Sequence, residues 1–244
     1  MGVAEEFHDW ARRWMELAAF PGPKLPDEEG KIAAVVEHWD APIPGQGHWQ
    51  RGRDERLLNR HIRYCRGNNR PDDHRPGEHA IEYDILNGES KHMNMRALGA
   101  TLVDGVNAVP LTKDLSGGKT GNVEADMLLL VRDEHKQEYR LLLVEVKVRS
   151  NHAWYAAVEN LRQLRLLMEA VETKHLFHNR RPELGLPEHL PVTGIVLGPE
   201  TFFSAKGQKG ASVKPAERLV NRMRDEGRVD IRLATWDPDC MKPR

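Results

Sequence analysis

Apolar and polar positions change their spacing along the chain, and these changes mark the predicted elements. Over residues 4–20 and 28–39, apolar side chains recur at helical spacing, which predicts two amphipathic helices. A further helix is predicted over residues 53–65, where leucines, a histidine and an isoleucine share one side and arginines recur on the other. The next helix is predicted to begin near Gly77.

Beyond this helix the pattern predicts strands alternating with helices. The strands are expected over residues 106–112, 124–131, 139–148, 191–198 and 229–236, and the helices over 151–174 and 214–226. Strands joined by helices of this length need crossover connections. The chain is therefore predicted to be α/β, with a mixed β-sheet flanked by helices on both faces. Residues 1–76 form a predicted N-terminal helical extension, and residues 77–244 the α/β core.

Three ionisable residues lie inside the two most apolar runs of the chain. Asp126 opens the run that ends at Val131, while Glu145 and Lys147 stand near the end of the run 141–148. Charged side chains lose hydration in such surroundings and need a partner or an ion in return. These residues are therefore candidates for a functional site.

The polar stretch between the two runs is short enough for an antiparallel hairpin. A hairpin centred between His135 and Lys136 places Asp126 opposite Glu145 and Glu124 opposite Lys147, all on one face. Opposed carboxylates repel unless something lies between them, so a divalent cation is expected there. The alternative is an edge strand whose charges face water. The long apolar runs favour strands that are covered on both faces.

Bulk composition limits the possible partners and the compartment. The chain has 244 residues, of which 30% are charged, and a net charge of -1, so a nucleic-acid surface would have to be a local patch. Two cysteines, Cys65 and Cys240, provide no disulfide framework, which suits a reducing cytoplasm. No apolar run is long enough for a membrane span, and residues 1–20 carry too many charges for a signal peptide. A cytoplasmic location without membrane association is expected.

Two basic segments are candidate nucleic-acid contacts. The first is the arginine side of the predicted helix 53–65, and the second is the lysine-bearing loop 204–214. Phosphate contact is one interpretation, and a solvated surface is the other. The candidate residues are Arg53, Arg56, Arg60, Arg63, Lys206 and Lys209.

The aspartate that heads one strand, the Glu-x-Lys that ends the next and the order of elements resemble the PD-(D/E)XK nuclease superfamily, which has the restriction-endonuclease-like fold. The resemblance covers roughly residues 77–197. It implies that Asp126 and Glu145 bind Mg²⁺, for which Mn²⁺ can substitute, and that Lys147 positions or activates the attacking water. The backbone carbonyl of Val146 is a further candidate ligand. A helical glutamate often completes such a site, and Glu82 is preferred here over Glu78.

Three positions depart from the pattern of the superfamily. Glu124 is a second candidate for the metal beside Asp126, although the hairpin register places it near Lys147. Ala125 stands where proline often precedes the aspartate. Some relatives carry Gln-x-x-x-Tyr on the helix after Glu-x-Lys, whereas here Gln163 is followed by Leu167. Gln163 falls at the rim of the apolar face of its helix, where a solvated residue and a site residue are both consistent with the pattern.

The resemblance implies a Mg²⁺-dependent nuclease that hydrolyses phosphodiester bonds, with DNA as the expected substrate. The alternative is a module of the same fold that binds nucleic acid or protein without cleaving, because fold alone does not fix function. Endonuclease and exonuclease action, and a homodimeric state, are left open by the sequence.

Overall fold

The computed structural model describes residues 3–20, 27–45, 77–86, 100–112, 123–148, 152–170, 181–204 and 211–236. The helices in these ranges are α1 (Val3–Ala18), α2 (Glu28–Asp40), α3 (Glu78–Leu86), α4 (Ala153–Ala170), α5 (Arg181–Leu184), α6 (Glu200–Phe203) and α7 (Val213–Asp225). The strands are β1 (Ala100–Pro110), β2 (Glu124–Asp133), β3 (Tyr139–Val146), β4 (Val192–Pro199) and β5 (Asp230–Trp236). The predicted helix 53–65 lies outside the described residues.

The five strands form one mixed sheet in the spatial order β1-β2-β3-β4-β5. Strand β2 is antiparallel to both β1 and β3, whereas β4 runs parallel to both β3 and β5. The parallel pairs follow the two crossover connections through α4 and α7, as the alternation of strands and helices predicted. The predicted α/β class and mixed sheet are confirmed.

The predicted register of the β2–β3 hairpin is confirmed from the turn to Met127 and Val144, but the predicted pairs Asp126–Glu145 and Glu124–Lys147 do not form because the two strands separate before them. Met127 lies opposite Val144, and Leu130 lies opposite Leu141. The turn is fixed by Asp133, whose carboxylate accepts hydrogen bonds from the backbone nitrogens of His135 and Lys136, both at 2.9 Å. Such a local hydrogen bond from an aspartate is a common way of setting a tight turn.

Both faces of the sheet are covered, which explains the uninterrupted apolar runs of β2 and β3. On one face, Leu128 and Leu143 belong to a hydrophobic cluster shared with α1, α2, α4 and α7. On the other, Met127, Val144 and Val146 pack in a second cluster with Ile81 and Ile85 of α3. Successive residues of the strands therefore alternate between two apolar layers.

Strand β1 differs from its prediction, since it begins at Ala100 and not at residue 106. Gly105 lies inside the strand opposite Leu129. A Cβ at this position would come within 2.7 Å of side-chain atoms of Leu129 and Leu86. Glycine is therefore required here by close packing against α3, and it does not mark a turn.

Helix α4 lies close against β4 because Gly194 has no side chain. A Cβ on Gly194 would overlap Asn160 Oδ1 and lie 2.5 Å from Leu164 Cδ1. Asn160 is buried and donates from Nδ2 to the backbone carbonyl of Leu143 at 3.2 Å. This contact sets the height of α4 above the centre of the sheet.

The N-terminal helices share the core of the sheet. Phe7, Trp10 and Trp14 of α1 belong to the same hydrophobic cluster as β2, β3 and α4. The indole Nε1 of Trp154 in α4 donates to the Leu17 carbonyl at 2.9 Å. No helix in the described ranges is both long and apolar enough to cross a membrane.

Candidate functional site

The central sheet opens between β2 and β3 at the position that the sequence singled out. Pairing of the two strands ends at Met127 and Val144. Beyond these residues β2 stays paired with β1, and β3 stays paired with β4. In the gap, the Asp126 carboxylate accepts a hydrogen bond from the backbone nitrogen of Val146 at 2.7 Å. We call this gap, lined by Asp126, Glu145 and Val146, the strand fork. The Asp126 side chain there takes the place of a backbone acceptor.

Two of the predicted site residues form a buried ion pair beside the strand fork. The Lys147 ammonium donates to the Glu145 carboxylate, and both residues are buried. The same ammonium lies 3.1 Å from Glu159 Oε2 of α4. Glu145 and Lys147 thus share a face, as the strand alternation predicted, and α4 covers them.

Gln163 of α4 is a buried member of the site. Its Nε2 donates to Glu145 Oε2 at 2.6 Å and to the Glu124 carbonyl at 3.1 Å. Both carboxylate oxygens of Glu145 are therefore held, one by Lys147 and one by Gln163. The Glu124 side chain, by contrast, is exposed.

The helical glutamates reach the strand fork from the opposite face of the sheet. Glu82 is buried in α3 and accepts a hydrogen bond from Asn107 Nδ2 at 2.9 Å. Glu78, one turn earlier, accepts from the backbone nitrogen of Val148 at 3.2 Å. Both carboxylates act on Asp126 through their charge. The structure therefore brings all four predicted catalytic residues, Asp126, Glu145, Lys147 and Glu82, to one end of β2 and β3.

Burial dominates the electrostatics of the carboxylates. It raises the pKa of Asp126 to about 7, with the positive charge of Lys147 opposing the shift and the negative charge of Glu82 adding to it. Burial also raises the pKa of Glu145 well above its usual value, and the charges of Asp126 and Glu159 raise it further. The pKa of Glu82 is raised by burial against the opposing hydrogen bond from Asn107. The site therefore holds more negative charge than its own residues compensate.

Lys147 remains a cation in this environment. Burial alone would lower the pKa of its ammonium, but the negative charges of Glu145 and Glu159 outweigh that effect and raise the pKa. A protonated amine can orient a water molecule or stabilise a developing negative charge.

No family model, curated protein or solved structure matches the chain. The resemblance to the nuclease superfamily therefore rests on the residues of the strand fork and on the order of the elements.

The donor chemistry of the strand fork fits a Mg²⁺ ion. The available ligand atoms are all oxygens, and Asp126 uses only Oδ2 for a hydrogen bond within the described part of the chain. The Val146 carbonyl points to the same side of β3 as its N–H, which faces Asp126, because strand residues direct both groups to one neighbour. No group of three or more His, Cys, Asp or Glu side chains in the described ranges is arranged to hold a metal. Mg²⁺ commonly binds through one or two carboxylates and keeps several waters.

The predicted nucleic-acid contacts Arg53, Arg56, Arg60, Arg63, Lys206 and Lys209 lie outside the described residues. Contact of these side chains with phosphate therefore stays a prediction.

Sequence reasoning missed three residues of α4 that line the site together with Gln163. Glu159 contacts Lys147, Arg162 lies 3.9 Å from Glu159, and Tyr155 is close enough for the charge of Glu159 to raise its pKa, although burial contributes more. These residues are spaced by three or four positions and so form one stripe of the helix. Local spacing does not reveal this role, because a charged stripe on an amphipathic helix ordinarily faces water.

Proposed function

We propose that the protein is a Mg²⁺-dependent nuclease of the restriction-endonuclease-like fold that hydrolyses phosphodiester bonds in DNA. The observation that carries the proposal is the strand fork, where the half-buried Asp126 and the buried Glu145 lie with the Lys147 ammonium in a gap of the central sheet. Such a site is costly for the fold, and a purely structural role would not require two carboxylates whose pKa values are raised.

The residues of the fork suit phosphodiester hydrolysis. Mg²⁺ would be held by Asp126, Glu145 and the Val146 carbonyl. When bound, the ion would polarise the phosphate and make a bound water more acidic. The Val146 N–H fixes the Asp126 carboxylate, and Gln163 fixes that of Glu145. The Lys147 ammonium is placed to orient the nucleophilic water and to stabilise the charge that develops on the phosphate oxygens. Burial of these groups strengthens each electrostatic contact.

A second candidate function is a binding module of the same fold that does not cleave. One observation favours it: both oxygens of Glu145 are already satisfied by Lys147 and Gln163 without a metal. In such a module the ion pair would be structural. The raised pKa of Asp126 favours the nuclease, because it marks a carboxylate that lacks compensating positive charge.

Incubation of the purified protein with plasmid and single-stranded DNA in Mg²⁺, Mn²⁺ or EDTA tests the proposal. We expect cleavage with either metal, none in EDTA, and none with Asp126→Asn. Asp133→Asn, at the other end of β2, is the matched control and should cleave like the wild type. DNA binding without cleavage under every metal condition would contradict the nuclease and support the binding module.

A further inference from the structure

Arg162 is a buried cation whose hydrogen-bonding capacity is largely unused by the described residues. Its side chain is 10% exposed, and its Nε is buried without a hydrogen-bond partner in the described part of the chain. One terminal nitrogen lies 3.1 Å from the Met15 sulfur, which is a weak acceptor, and the other lies 3.9 Å from Glu159 Oε1. A guanidinium has five N–H donors, so most of the donors of Arg162 have no strong acceptor within these ranges.

Another arginine of the same helix shows what a structural role requires. Arg165 donates to the carbonyls of Trp39 at 2.9 Å and Ala41 at 3.4 Å, and it forms an ion pair with Glu169. Its donors thus join α4 to the end of α2. With the described residues Arg162 makes no comparable set of contacts, although burial of an incompletely paired charge is costly. That cost favours a further group that completes the contacts of Arg162.

The neighbours of Arg162 identify the chemistry of that group. The Glu159 carboxylate lies between two cations, with Lys147 on one side at 3.1 Å and Arg162 on the other at 3.9 Å. Its side chain is partly exposed, whereas both cations are nearly buried. Another anion in the position of this carboxylate would contact the same two cations. Arginine is well suited to phosphate, because its planar donors match two phosphate oxygens.

We propose that Arg162 binds a backbone phosphate of the nucleic acid next to the strand fork, and that Glu159 takes the place of this phosphate in the free protein. The inference rests on the proposed function, which places a phosphodiester beside Lys147. It assigns α4 a part in binding the substrate, in addition to its support of Glu145 through Gln163.

Thermal melting in EDTA tests the site without requiring cleavage. Inorganic phosphate is compared with chloride at equal ionic strength, because an anion that binds the native state raises its melting temperature. We expect phosphate to stabilise the wild type. Arg162→Met should melt at or above the wild type in chloride, since it removes an incompletely paired charge, and it should gain nothing from phosphate. Glu159→Gln should gain more than the wild type, because the competing carboxylate is gone.

Two arginines serve as controls. Arg165→Met should melt at a lower temperature but keep the full gain from phosphate. Arg12→Met, which removes an exposed guanidinium paired with Asp9, should behave like the wild type in both salts. If Arg162→Met is destabilised and retains the phosphate gain, Arg162 is a packing residue and the inference is wrong.

Fluorescence polarisation with a short labelled oligonucleotide in EDTA identifies the source of the phosphate. Arg162→Met should weaken binding about tenfold and lower the slope of log affinity against log salt by about one, as loss of one phosphate contact predicts. If Arg162→Met binds the oligonucleotide like the wild type but no longer responds to inorganic phosphate, the site binds free phosphate and the inference is contradicted. If the wild type cleaves DNA while Arg162→Met keeps both the salt slope and the phosphate gain, only the phosphate site is wrong. If Arg162-dependent binding occurs without cleavage, only the nuclease is wrong.

Discussion

Asp126 links the stability of the fold to pH. Its pKa rises from the usual 3.8 to about 7 on folding, chiefly through burial, so the folded protein binds a proton more tightly than the unfolded chain does. Protonation of Asp126 therefore contributes to the free energy of unfolding. This contribution is complete below about pH 4 and is lost as the pH rises through about 7. We expect Asp126→Asn to remove this decline, which urea unfolding across the pH range would measure. The difference should be on the order of a few kcal/mol near neutral pH.

Asp133→Asn is the matched control and should act in the opposite direction. Hydrogen bonds from the backbone nitrogens of Lys136 and His135 hold the pKa of Asp133 below its usual value. Its charged form therefore stabilises the turn at pH values above the unfolded pKa, and this contribution is lost as the pH falls. A decline between pH 4 and 7 that is as steep in Asp126→Asn as in the wild type would show that the other carboxylates with raised pKa values, Glu145 and Glu82, are responsible.

The same Asp126 variant separates a metal site from a structural one. In EDTA near neutral pH, Asp126→Asn should melt at or above the wild-type temperature, because the repulsion among Asp126, Glu145 and Glu82 is reduced. Added Mg²⁺ should stabilise the wild type and have less effect on the variant. Indifference of the wild type to millimolar Mg²⁺ and Mn²⁺ would contradict the metal site.

Lys147 contributes to both stability and activity, and a paired substitution separates the two. Lys147→Met leaves Glu145 and Glu159 without their shared cation, so we expect it to lose about 3–5 kcal/mol of stability and all cleavage. Adding Glu145→Gln should restore part of that stability but no cleavage. Calorimetry should show that Lys147→Met alone retains Mg²⁺ binding. A loss of Mg²⁺ affinity would show that the amine supports the metal ligands.

Single residues were predictable from sequence where they violated the pattern around them. Asp126, Glu145 and Lys147 stood out because charges are rare inside apolar strands. Glu159 and Arg162 did not, because a charged residue on a helix ordinarily faces water. Gln163 stayed ambiguous, since a helical wheel places it at the rim and cannot show that Glu145 and the Glu124 carbonyl lie within its reach.

At the level of elements, the contact between α4 and β4 controls the geometry of the strand fork. Gly194 lies against Asn160, the Asn160 amide lies 3.5 Å from Gln163 Oε1, and Gln163 holds Glu145. Gly194→Ala should push α4 away, with a loss of about 1–3 kcal/mol typical of overpacking. Cleavage should fall further than this loss of stability explains, because the support of Glu145 is displaced. Activity measured well below the melting temperature separates the two effects.

Gly77→Ala is the control for that substitution. A Cβ on Gly77 has no neighbour within 4 Å, so the variant should cost less than about 1 kcal/mol and keep its activity. If Gly194→Ala proves equally mild, α4 has room to adjust and the close contact does not fix the site.

The basic helix predicted over residues 53–65 lies outside the described residues, and its role is open to a direct test. Replacing Arg56, Arg60 and Arg63 by Gln should weaken binding to all DNA sequences alike and flatten its salt dependence, because phosphate contacts release counterions without reading bases. A titration with labelled DNA at several salt concentrations measures the slope. An unchanged slope would assign this side of the helix to solvent.

The order and type of elements followed from periodicity, and the register followed from the hairpin. Both inferences depend on local information, namely apolar runs and a polar stretch of known length between them. The predicted start of β1 at residue 106 was wrong, because the strand runs from Ala100 through Gly105, where it packs against Leu86 of α3 and Leu129 of β2, and such contacts are not visible in a local pattern. The opening of the sheet at the strand fork could not be predicted either, since strands that pair and strands that separate have the same pattern of apolar residues.

At the scale of the whole molecule, the N-terminal helices are required for the core. Six apolar side chains of α1 are buried in the cluster that also contains β2, β3 and α4: Phe7, Trp10, Ala11, Trp14, Leu17 and Ala18. Fully burying one large apolar side chain contributes about 1.5–3 kcal/mol. The burial of these side chains together is therefore comparable to a typical net stability of about 5–15 kcal/mol. A fragment of residues 77–244 should therefore show no cooperative thermal transition by circular dichroism. A cooperative melt of this fragment would show that the core is independent of its extension.

The packing of α1 and α2 also determines when during folding they can dock. The hydrogen bond from Trp154 to Leu17 joins residues 137 positions apart, and the ion pair of Arg228 with Asp40 spans 188 positions. Contacts of such long range form slowly, because much of the chain must be ordered before they can close. During synthesis, α1 and α2 emerge before α4 and Arg228, and they therefore wait for these later segments before they are buried. During that interval the tryptophan-bearing face of α1 is open to chaperones and to association with other nascent chains.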